Sequence, residues 1–370
     1  MKFGLFYVLE APDGDYRKAW TRMMGQIQYG EELGYDSVWL AEHHGSLYGT
    51  MPRLSIAAAA IAERTTKMRI GTAVTILPFS NPVRIAEDFA MVDVISNGRL
   101  DFGVGRAYQP LEFKNMGLAD RQDHSRELFQ ESLDIVLGLW NNEKFSYQGK
   151  HWQLDEVECH PRPIQKPIPI HVAAISPETF GMVAAKDLNI IQAATLLPLA
   201  ELKTFCLDAK RQLMLKGHRA EDLDFPLLWI THIAKTFDEG KQRSASALKW
   251  YFDTLLALVP QGAKAPKSYE AFAAAADAYH EAGGFPVETL NEVGNLILGT
   301  PEFAAQRMEE VRNDMGQQEV ILWMQVGGLD DRHVRDSMRL FAQEVMPRFK
   351  GKPPVVPLAL QSAKTAVGSR

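Results

Sequence analysis

The chain has 370 residues, a formal net charge of −6 at pH 7 and 46% hydrophobic residues, which is ordinary for a globular protein. The mild acidity gives no reason to expect nucleic acid or an anionic membrane as a partner. No apolar run approaches the ~20 residues of a transmembrane helix, and Glu10 cuts the first apolar run short of a signal peptide. Cys159 and Cys206 form no disulfide motif, so we expect a cytoplasmic protein.

The first half of the chain alternates strand and helix signals. Short apolar runs indicate strands, and segments with helical periodicity separate them. The predicted strands are residues 2–7, 37–41, 68–74 and 99–105, and the predicted helices are residues 15–32, 51–65, 83–96 and 121–140. Four strand–helix units in series favour a parallel sheet.

The pattern is interrupted after residue 140 and then resumes. Residues 141–167 predict a hairpin followed by a proline-rich connector. Four further strands are predicted at residues 168–174, 189–194, 225–235 and 319–326, each followed by a helix. Residues 258–298 are irregular around an alanine-rich helix, and we interpret them as a lid insertion. We therefore expect one domain over residues 1–349 and a flexible tail over residues 350–370.

Eight strands followed by helices predict a (β/α)8 TIM barrel, with a doubly wound α/β sheet as the alternative. The chemistry of such barrels lies at the carboxyl ends of the strands. Polar side chains follow several of the predicted strands, so one end of the barrel would collect them. They are Glu42, His43 and His44 after the second strand, Thr72 in the third, Arg106 after the fourth, and Ser176 and Thr179 after the fifth.

The motif "AEHH" contains two adjacent histidines beside a carboxylate. Neighbouring strand residues point to opposite faces and HExxH is absent, so we predict no metal site. His43 suits a general base or hydrogen-bond donor, whereas His44 suits a structural histidine.

Two motifs suggest a phosphate site. "DFGVGRAYQP" fails the dinucleotide fingerprint because Tyr108 replaces the third glycine. Its Arg106 either binds a phosphate with its planar guanidinium or pairs with Asp101. In "AAISPETF", Ser176 and Thr179 open a helix whose N-terminus either binds a phosphate or is simply capped.

Three aromatic residues near strand ends are candidates for a substrate pocket. They are Tyr108, Trp229 and Trp323. Aromatic side chains in such positions more often belong to the core, so both interpretations stay open.

Four segments together resemble the bacterial luciferase-like, flavin-dependent monooxygenases. They are "GYDSVWLAEHHG", "IGTAVTILPFSNPVRIAEDFAMVDVISNGRLDFGVGRA", "RPIQKPIPIHVAAISPETF" and "GTPEFAAQRMEEVRNDMGQQEVILWMQVGGL", and they run in order over nearly the whole chain. The resemblance implies a TIM barrel that holds reduced FMN in its mouth, with residues 258–298 as the mobile lid.

The resemblance also implies roles for particular residues. His43 matches the catalytic histidine that assists formation and use of the flavin hydroperoxide, and Glu42 matches an acid of the flavin site. The remaining matches are cofactor contacts: Arg106, Arg126, Ser176 and Thr179 for the FMN phosphate, Thr72 and Ala173 at strand ends, and a non-prolyl cis peptide at Ala73-Val74 beneath the flavin ring.

Two positions depart from the light-emitting luciferase subunit. Gly105 stands where that subunit has a reactive cysteine, and Ile175 stands where it has a glutamate near the phosphate. These departures argue against light emission and a long-chain aldehyde substrate, but they leave the flavin site intact.

The sequence therefore predicts a two-component monooxygenase that oxidises a small organic substrate with O2. A separate flavin reductase would supply reduced FMN, and the helices of the second and third units would form a homodimer. One alternative is a deazaflavin-dependent hydride-transfer oxidoreductase on the same barrel. The other is a non-catalytic flavin-binding partner subunit, against which His43 and the full-length lid argue.

Overall fold

A computed structural model describes residues 1–174, 177–195, 197–258 and 270–361. Twelve β-strands form the framework of this part of the chain. Their bounds are β1 Lys2–Tyr7, β2 Ser37–Leu40, β3 Arg69–Thr72, β4 Thr75–Ile76, β5 Leu100–Gly105, β6 Phe145–Gln148, β7 Gln153–Val157, β8 Ile170–Ala173, β9 Asn189–Ala193, β10 Leu227–Ile233, β11 Leu296–Gly299 and β12 Glu319–Trp323. Most of the long strands are buried along their whole length, as expected for strands covered on both faces.

Eight of these strands close into a parallel barrel, which confirms the predicted (β/α)8 architecture. The order around the barrel is β1, β2, β3, β5, β8, β9, β10 and β12, and β12 pairs with β1 to close it. The parallel strand β11 extends this sheet beside the end of β10. The predicted hairpin is also confirmed, because β6 and β7 pair antiparallel outside the barrel.

Helices follow the barrel strands and cover them. Their bounds are α1 Tyr16–Leu33, α2 Leu54–Ala62, α3 Pro82–Ile95, α4 Pro110–Asn115, α5 Ser125–Asn141, α6 Pro177–Ala185, α7 Leu199–Leu215, α8 Phe237–Leu258, α9 Glu270–Ala282, α10 Val287–Glu292, α11 Pro301–Met315 and α12 Asp331–Leu340. Their ends follow local chemistry: the Asn81 side chain accepts backbone N–H groups at the start of α3, and Gly34 ends α1 in the left-handed conformation with φ of 86°.

The structure differs from the sequence prediction in three places. The short helix α4 lies in a stretch for which the sequence predicts no element. The strand β11 begins inside the predicted lid, which also holds α9 and α10. The tail packs onto the barrel at Leu360, which is buried in the core. A hydrophobic side chain can dock a terminus in this way, and the predicted flexible tail is wrong there. Residues 362–370 lie outside the described part.

Alternation along the strands divides the core into two clusters. On β10, Leu228 and Ile230 face the barrel interior, whereas Leu227 and Trp229 pack against the surrounding helices. Trp39 fills the interior, and its ring meets the His171 ring edge to face at 5.2 Å. The interior is therefore a packed core at this level.

At the end where the strands begin, polar groups are paired with one another. Arg69 forms a two-pronged salt bridge with Asp101, at 2.6 and 2.8 Å. The carboxylate of Glu319 accepts hydrogen bonds from the Ser37 hydroxyl at 2.5 Å and the Trp39 indole at 3.0 Å. This end of the barrel is closed.

Candidate active site

A cavity of about 320 Å³ occupies the opposite end, where the strands finish. Its volume is within the roughly 300–1,000 Å³ of small-molecule sites. Residues from nearly every barrel strand reach it, because parallel strands carry their last side chains to the same end. Of the predicted site residues, it is lined by Glu42, His43, Ala73, Val74, Arg106, Tyr108, Arg126, Ala173, Thr179 and Trp323.

His43 lies at the cavity wall and is held by a buried acid from α4. Its Nδ1 is 3.0 Å from Oε1 of Glu112, whose side chain is wholly buried. The edge of the Tyr48 ring packs against the imidazole, with ring centres 4.7 Å apart. Only a small part of the His43 side chain is exposed, so its orientation is fixed by the protein.

Glu42 and His44 form a second histidine–carboxylate pair behind the first. Oε1 of Glu42 is 2.9 Å from Nε2 of His44, and Oε2 accepts the backbone N–H of Ile76 at 3.0 Å. The His44 ring packs against Phe79. His44 is thus buried and held by a carboxylate, in keeping with the predicted structural histidine. Glu42 lines the cavity while it ties the loop after β2 to β4.

Two basic side chains and a hydroxyl line the cavity on the side of β5 and β8, which we call the basic end. Arg106 follows β5, Arg126 lies in the first turn of α5, and Thr179 lies in the first turn of α6. The alternative partner of Arg106, Asp101, is held by Arg69 at the other end of β5. Ser176, the predicted helix cap, lies outside the described residues.

Small residues form the floor of the cavity between β3, β5 and β8. The peptide bond between Ala73 and Val74 is cis, as the resemblance implied. A Cβ atom added at Gly105 would come within 2.3 Å of Val74, so this position accepts only glycine without a local shift. Thr72 is not part of the lining: its hydroxyl donates to Gly103 O at 2.6 Å and accepts from Gly103 N at 2.9 Å.

Aromatic rings form the wall opposite the basic end. Trp323 meets Phe6 and Tyr251 edge to face, at 4.9 and 4.8 Å between ring centres. Tyr48 and Tyr251 are hydrogen-bonded to each other, and burial raises the pKa of both phenols well above the usual value, so both remain neutral. This wall offers an apolar surface with a few hydroxyl groups.

Trp229 is not in this wall, so its prediction as a pocket residue is wrong. It lies on β10 between Leu228 and Ile230, which face the barrel interior. Successive side chains of a strand point to opposite faces, so Trp229 packs outward against the helices and is fully buried. The sequence identified the right strand but assigned the wrong face.

The sequence analysis missed several residues of the site. The sequence analysis missed Glu112 because it did not predict α4. A proline at position 110 followed by an acid is nevertheless a recognisable signal of a helix start. Tyr48 and Tyr251 lie far apart in sequence, on a loop and on α8, so only the fold brings them together.

Two polar side chains at the cavity have atoms available to a ligand. Oε2 of Glu112 and both ends of the Gln192 carboxamide are buried and have no hydrogen-bond partner within the described residues. Buried polar groups are nearly always satisfied in native proteins. The basic end, the floor of small residues and the apolar wall fit the phosphate and flat ring of FMN. No group of His, Cys, Asp and Glu in the described ranges could hold a metal ion.

Comparison with known proteins identifies the family. Residues 1–318 match the profile of the luciferase-like monooxygenases, so the chain belongs to that family. The oxygenase component of flavin-dependent trigonelline monooxygenase from Acinetobacter baylyi is 25% identical over 367 residues, covering 94% of this chain and 96% of that protein. The alkanal monooxygenase alpha chain of the Kryptophanaron alfredi symbiont is 26% identical, with 95% and 99% covered.

Solved structures share the fold. The monooxygenase RslO1 from Streptomyces bottropensis has a TM-score of 0.83 at 23% identity, with 94% of this chain and 100% of that chain covered. The oxygenating constituent of 3,6-diketocamphane monooxygenase from Pseudomonas putida, solved with FMN, has a TM-score of 0.74 at 19% identity, with 94% and 99% covered. An F420-dependent secondary alcohol dehydrogenase has a TM-score of 0.72 at 18% identity, with 94% and 99% covered.

No helix in the described part is long and apolar enough to cross a membrane.

Proposed function

We propose that this chain is the oxygenase component of a two-component, FMN-dependent monooxygenase that oxidises a small, largely apolar organic substrate with O2. The observation that carries the proposal is the cavity itself, which combines a basic end, a floor of small residues and a held histidine in a luciferase-like barrel. The proposal includes a separate flavin reductase, by analogy with the relative named an oxygenase component.

The basic end would bind the phosphate of FMN. Arg126 and Arg106 supply guanidinium groups, which form charge-assisted and often bidentate hydrogen bonds to phosphate. Thr179 adds a hydroxyl at the start of α6, where backbone N–H groups and the helix dipole also favour an anion. The floor at Ala73, Val74 and Gly105 would support the flavin ring, because a larger residue there would fill the space.

Reduced FMN, when bound, supplies the electrons and the ring at which O2 is activated. The protein supplies orientation, exclusion of water and control of a proton. His43 is the proton-handling group, because it lies at the cavity wall in a fixed orientation. The aromatic wall of Phe6, Tyr251 and Trp323 would bind the apolar substrate beside it.

The insertion after α8 would act as the lid. Tyr251 and Leu255 of α8 line the cavity, and α9 is tied to α8 through a 2.8 Å hydrogen bond from Tyr279 to Asp253. A movement of α9 would therefore be transmitted to the cavity wall.

The proposal also includes a cytoplasmic location. Both cysteines are buried and free, which is compatible with a reducing compartment.

Rapid mixing tests the proposal. The protein is loaded with reduced FMN without oxygen and mixed with oxygenated buffer while the flavin absorbance is followed. We expect reoxidation that is delayed relative to free FMN and accelerated by productive substrates. Reoxidation as fast as that of free flavin, with no oxidised product for any substrate, would overturn it. Tighter binding of a deazaflavin than of FMN would instead favour the hydride-transfer alternative, which has a relative on the same fold.

We further propose that α2 and α3 form a homodimer interface. Ile56 on α2 and Met91 and Val94 on α3 are exposed to 70%, 50% and 41%, respectively. Exposed apolar side chains grouped on neighbouring helices often mark an interface. We expect Ile56→Asp to reduce the mass measured by light scattering from dimer to monomer. Leu215→Asp is the matched control, because Leu215 is equally exposed but lies on α7.

A further inference from the structure

Glu112 makes two contacts with the loop that carries the histidines. One of its oxygens, Oε1, is 3.0 Å from Nδ1 of His43 and accepts the backbone N–H of His44 at 3.1 Å. The side chain is fully buried, so water does not compete for this oxygen. A single carboxylate therefore fixes both the imidazole and the backbone next to it.

The contact with Glu112 determines where the imidazole carries its proton. Oε1 already accepts the backbone N–H of His44, and a carboxylate only accepts hydrogen bonds, so with Glu112 as a carboxylate the hydrogen of this contact belongs to Nδ1 of His43. The amide nitrogen of Gln109 also lies 3.4 Å from Nδ1, but it is itself a donor, and it donates to the Tyr108 hydroxyl at 3.2 Å. With Glu112 as the acceptor, Nδ1 carries the hydrogen and Nε2 keeps the lone pair.

Among the neighbouring carboxylates, Glu112 is the one that contacts the His43 ring. Glu42, the other carboxylate of the motif, is occupied by His44 and Ile76. Of the other titratable groups, the Tyr48 phenol ring packs against the imidazole at 4.7 Å, and Tyr108, Tyr251 and Arg106 line the same cavity. No carboxylate other than Glu112 within the described ranges is in hydrogen-bond contact with the His43 ring.

We propose that Glu112 is a positioning residue, which holds His43 as the Nδ1–H tautomer so that Nε2 accepts a proton in the reaction and later returns it. When Nε2 takes the proton, the carboxylate of Glu112 balances the charge of the imidazolium. The tautomer is a property of the protein alone, whereas the effect on turnover rests on the function proposed above.

Nitrogen NMR of the 15N-histidine-labelled full chain without flavin tests the first part. The His43 signal is identified by its loss in His43→Asn. We expect a hydrogen on Nδ1 in the wild type and a mixture of tautomers, or the opposite one, in Glu112→Ala. A hydrogen on Nε2 alone in the wild type would overturn the proposal. Because this experiment needs no flavin or substrate, its outcome is independent of the proposed function.

The pH dependence of turnover tests the second part. Glu112→Gln keeps the shape of the side chain but removes the charge that stabilises the imidazolium, so the acid limb of kcat should move to lower pH by about 1 unit. We expect kcat to fall on the order of 10- to 100-fold with KM nearly unchanged. Glu112→Asp keeps the charge and should restore the position of the acid limb.

The control is Asp120→Asn, an exposed carboxylate that follows α4 in the chain. It should change neither the tautomer nor the pH profile. An unmoved acid limb in Glu112→Gln, in a variant with wild-type thermal stability, would show that Glu112 is only structural. A wild-type chain that oxidises no substrate would contradict the proposed function while leaving the NMR result intact.

Discussion

The two ends of the barrel differ in what their buried polar side chains face. Where the strands begin, Arg69 with Asp101, and Glu319 with Ser37 and Trp39, satisfy one another. Where the strands finish, Glu112 and Gln192 keep buried polar atoms without a partner beside an open cavity. Buried polar atoms without a partner also occur where the strands begin, at Asp224 and Gln317. The open cavity beside Glu112 and Gln192 is therefore what makes their polar atoms available to a ligand.

Two buried carboxylates, one at each end of the barrel, also differ in their surroundings. Burial raises the pKa of Glu319 to about 7, Asp224 adds to this shift, and the hydrogen bond from Ser37 opposes it. Glu112, at the other end, is paired with His43. The first acid therefore bears on the stability of the fold, whereas the second holds a histidine at the cavity wall.

The largest effect is expected from His43→Asn at the open end. A positioned proton-transfer group contributes about 10²- to 10⁴-fold, so coupled substrate oxidation should fall by that factor. The melting temperature and FMN affinity should stay close to those of the wild type, because His43 is not in the phosphate end of the cavity. Product formation per flavin oxidised is the measurement. Undiminished product formation would remove His43 from the mechanism.

Glu319→Gln should alter the closed end without touching catalysis. In the wild type, the unfolded chain loses this proton near its ordinary value of 4.5 and the folded chain near 7, so stability falls as pH rises between these values. A difference of that size corresponds to about 3 kcal/mol. In Glu319→Gln this loss should be absent when urea unfolding at about pH 5 and about pH 8 is compared. Glu201→Gln, an exposed position on α7, should retain it.

Arg126→Ala should weaken phosphate binding at the open end. A hydrogen bond to a charged group contributes about 1.5–3 kcal/mol, which is roughly 10- to 150-fold in Kd. Titration with FMN and with riboflavin distinguishes the loss of a phosphate contact from a general loss of flavin binding, because only FMN carries the phosphate. We expect the preference for FMN over riboflavin to shrink in Arg126→Ala and to persist in Arg121→Ala, an exposed neighbour. Equal losses for both ligands would place Arg126 elsewhere in the site.

The smallest effects are expected from a pair of buried tryptophans. Trp323→Phe should change KM for substrate a few-fold, because Trp323 lines the cavity, whereas Trp229→Phe should leave KM unchanged. Both should lower the free energy of unfolding by about 1–3 kcal/mol, since each loses buried area. Steady-state kinetics and urea unfolding provide the two measurements. A KM change in Trp229→Phe would contradict the assignment of faces on β10.

Local patterns in the sequence were sufficient for the barrel strands and most helices. The apolar runs at Lys2–Tyr7 and Leu100–Gly105 are fully local signals, and Asn97 and Gly98 end α3 with φ of 55° and 75°. The strand β11 was missed because its four residues, Leu-Ile-Leu-Gly, give too short a pattern beside a long irregular segment.

The sequence by itself determined the alternation of strands and helices, the family, and the strand ends on which the site is built. These follow from periodicity and ordered motifs, which are local. Only the tertiary structure decided which face of β10 carries its tryptophan and which acid holds His43. Glu112 and His43 are 69 residues apart, and a hydrogen bond over that separation depends on the packing of α4 against the loop after β2.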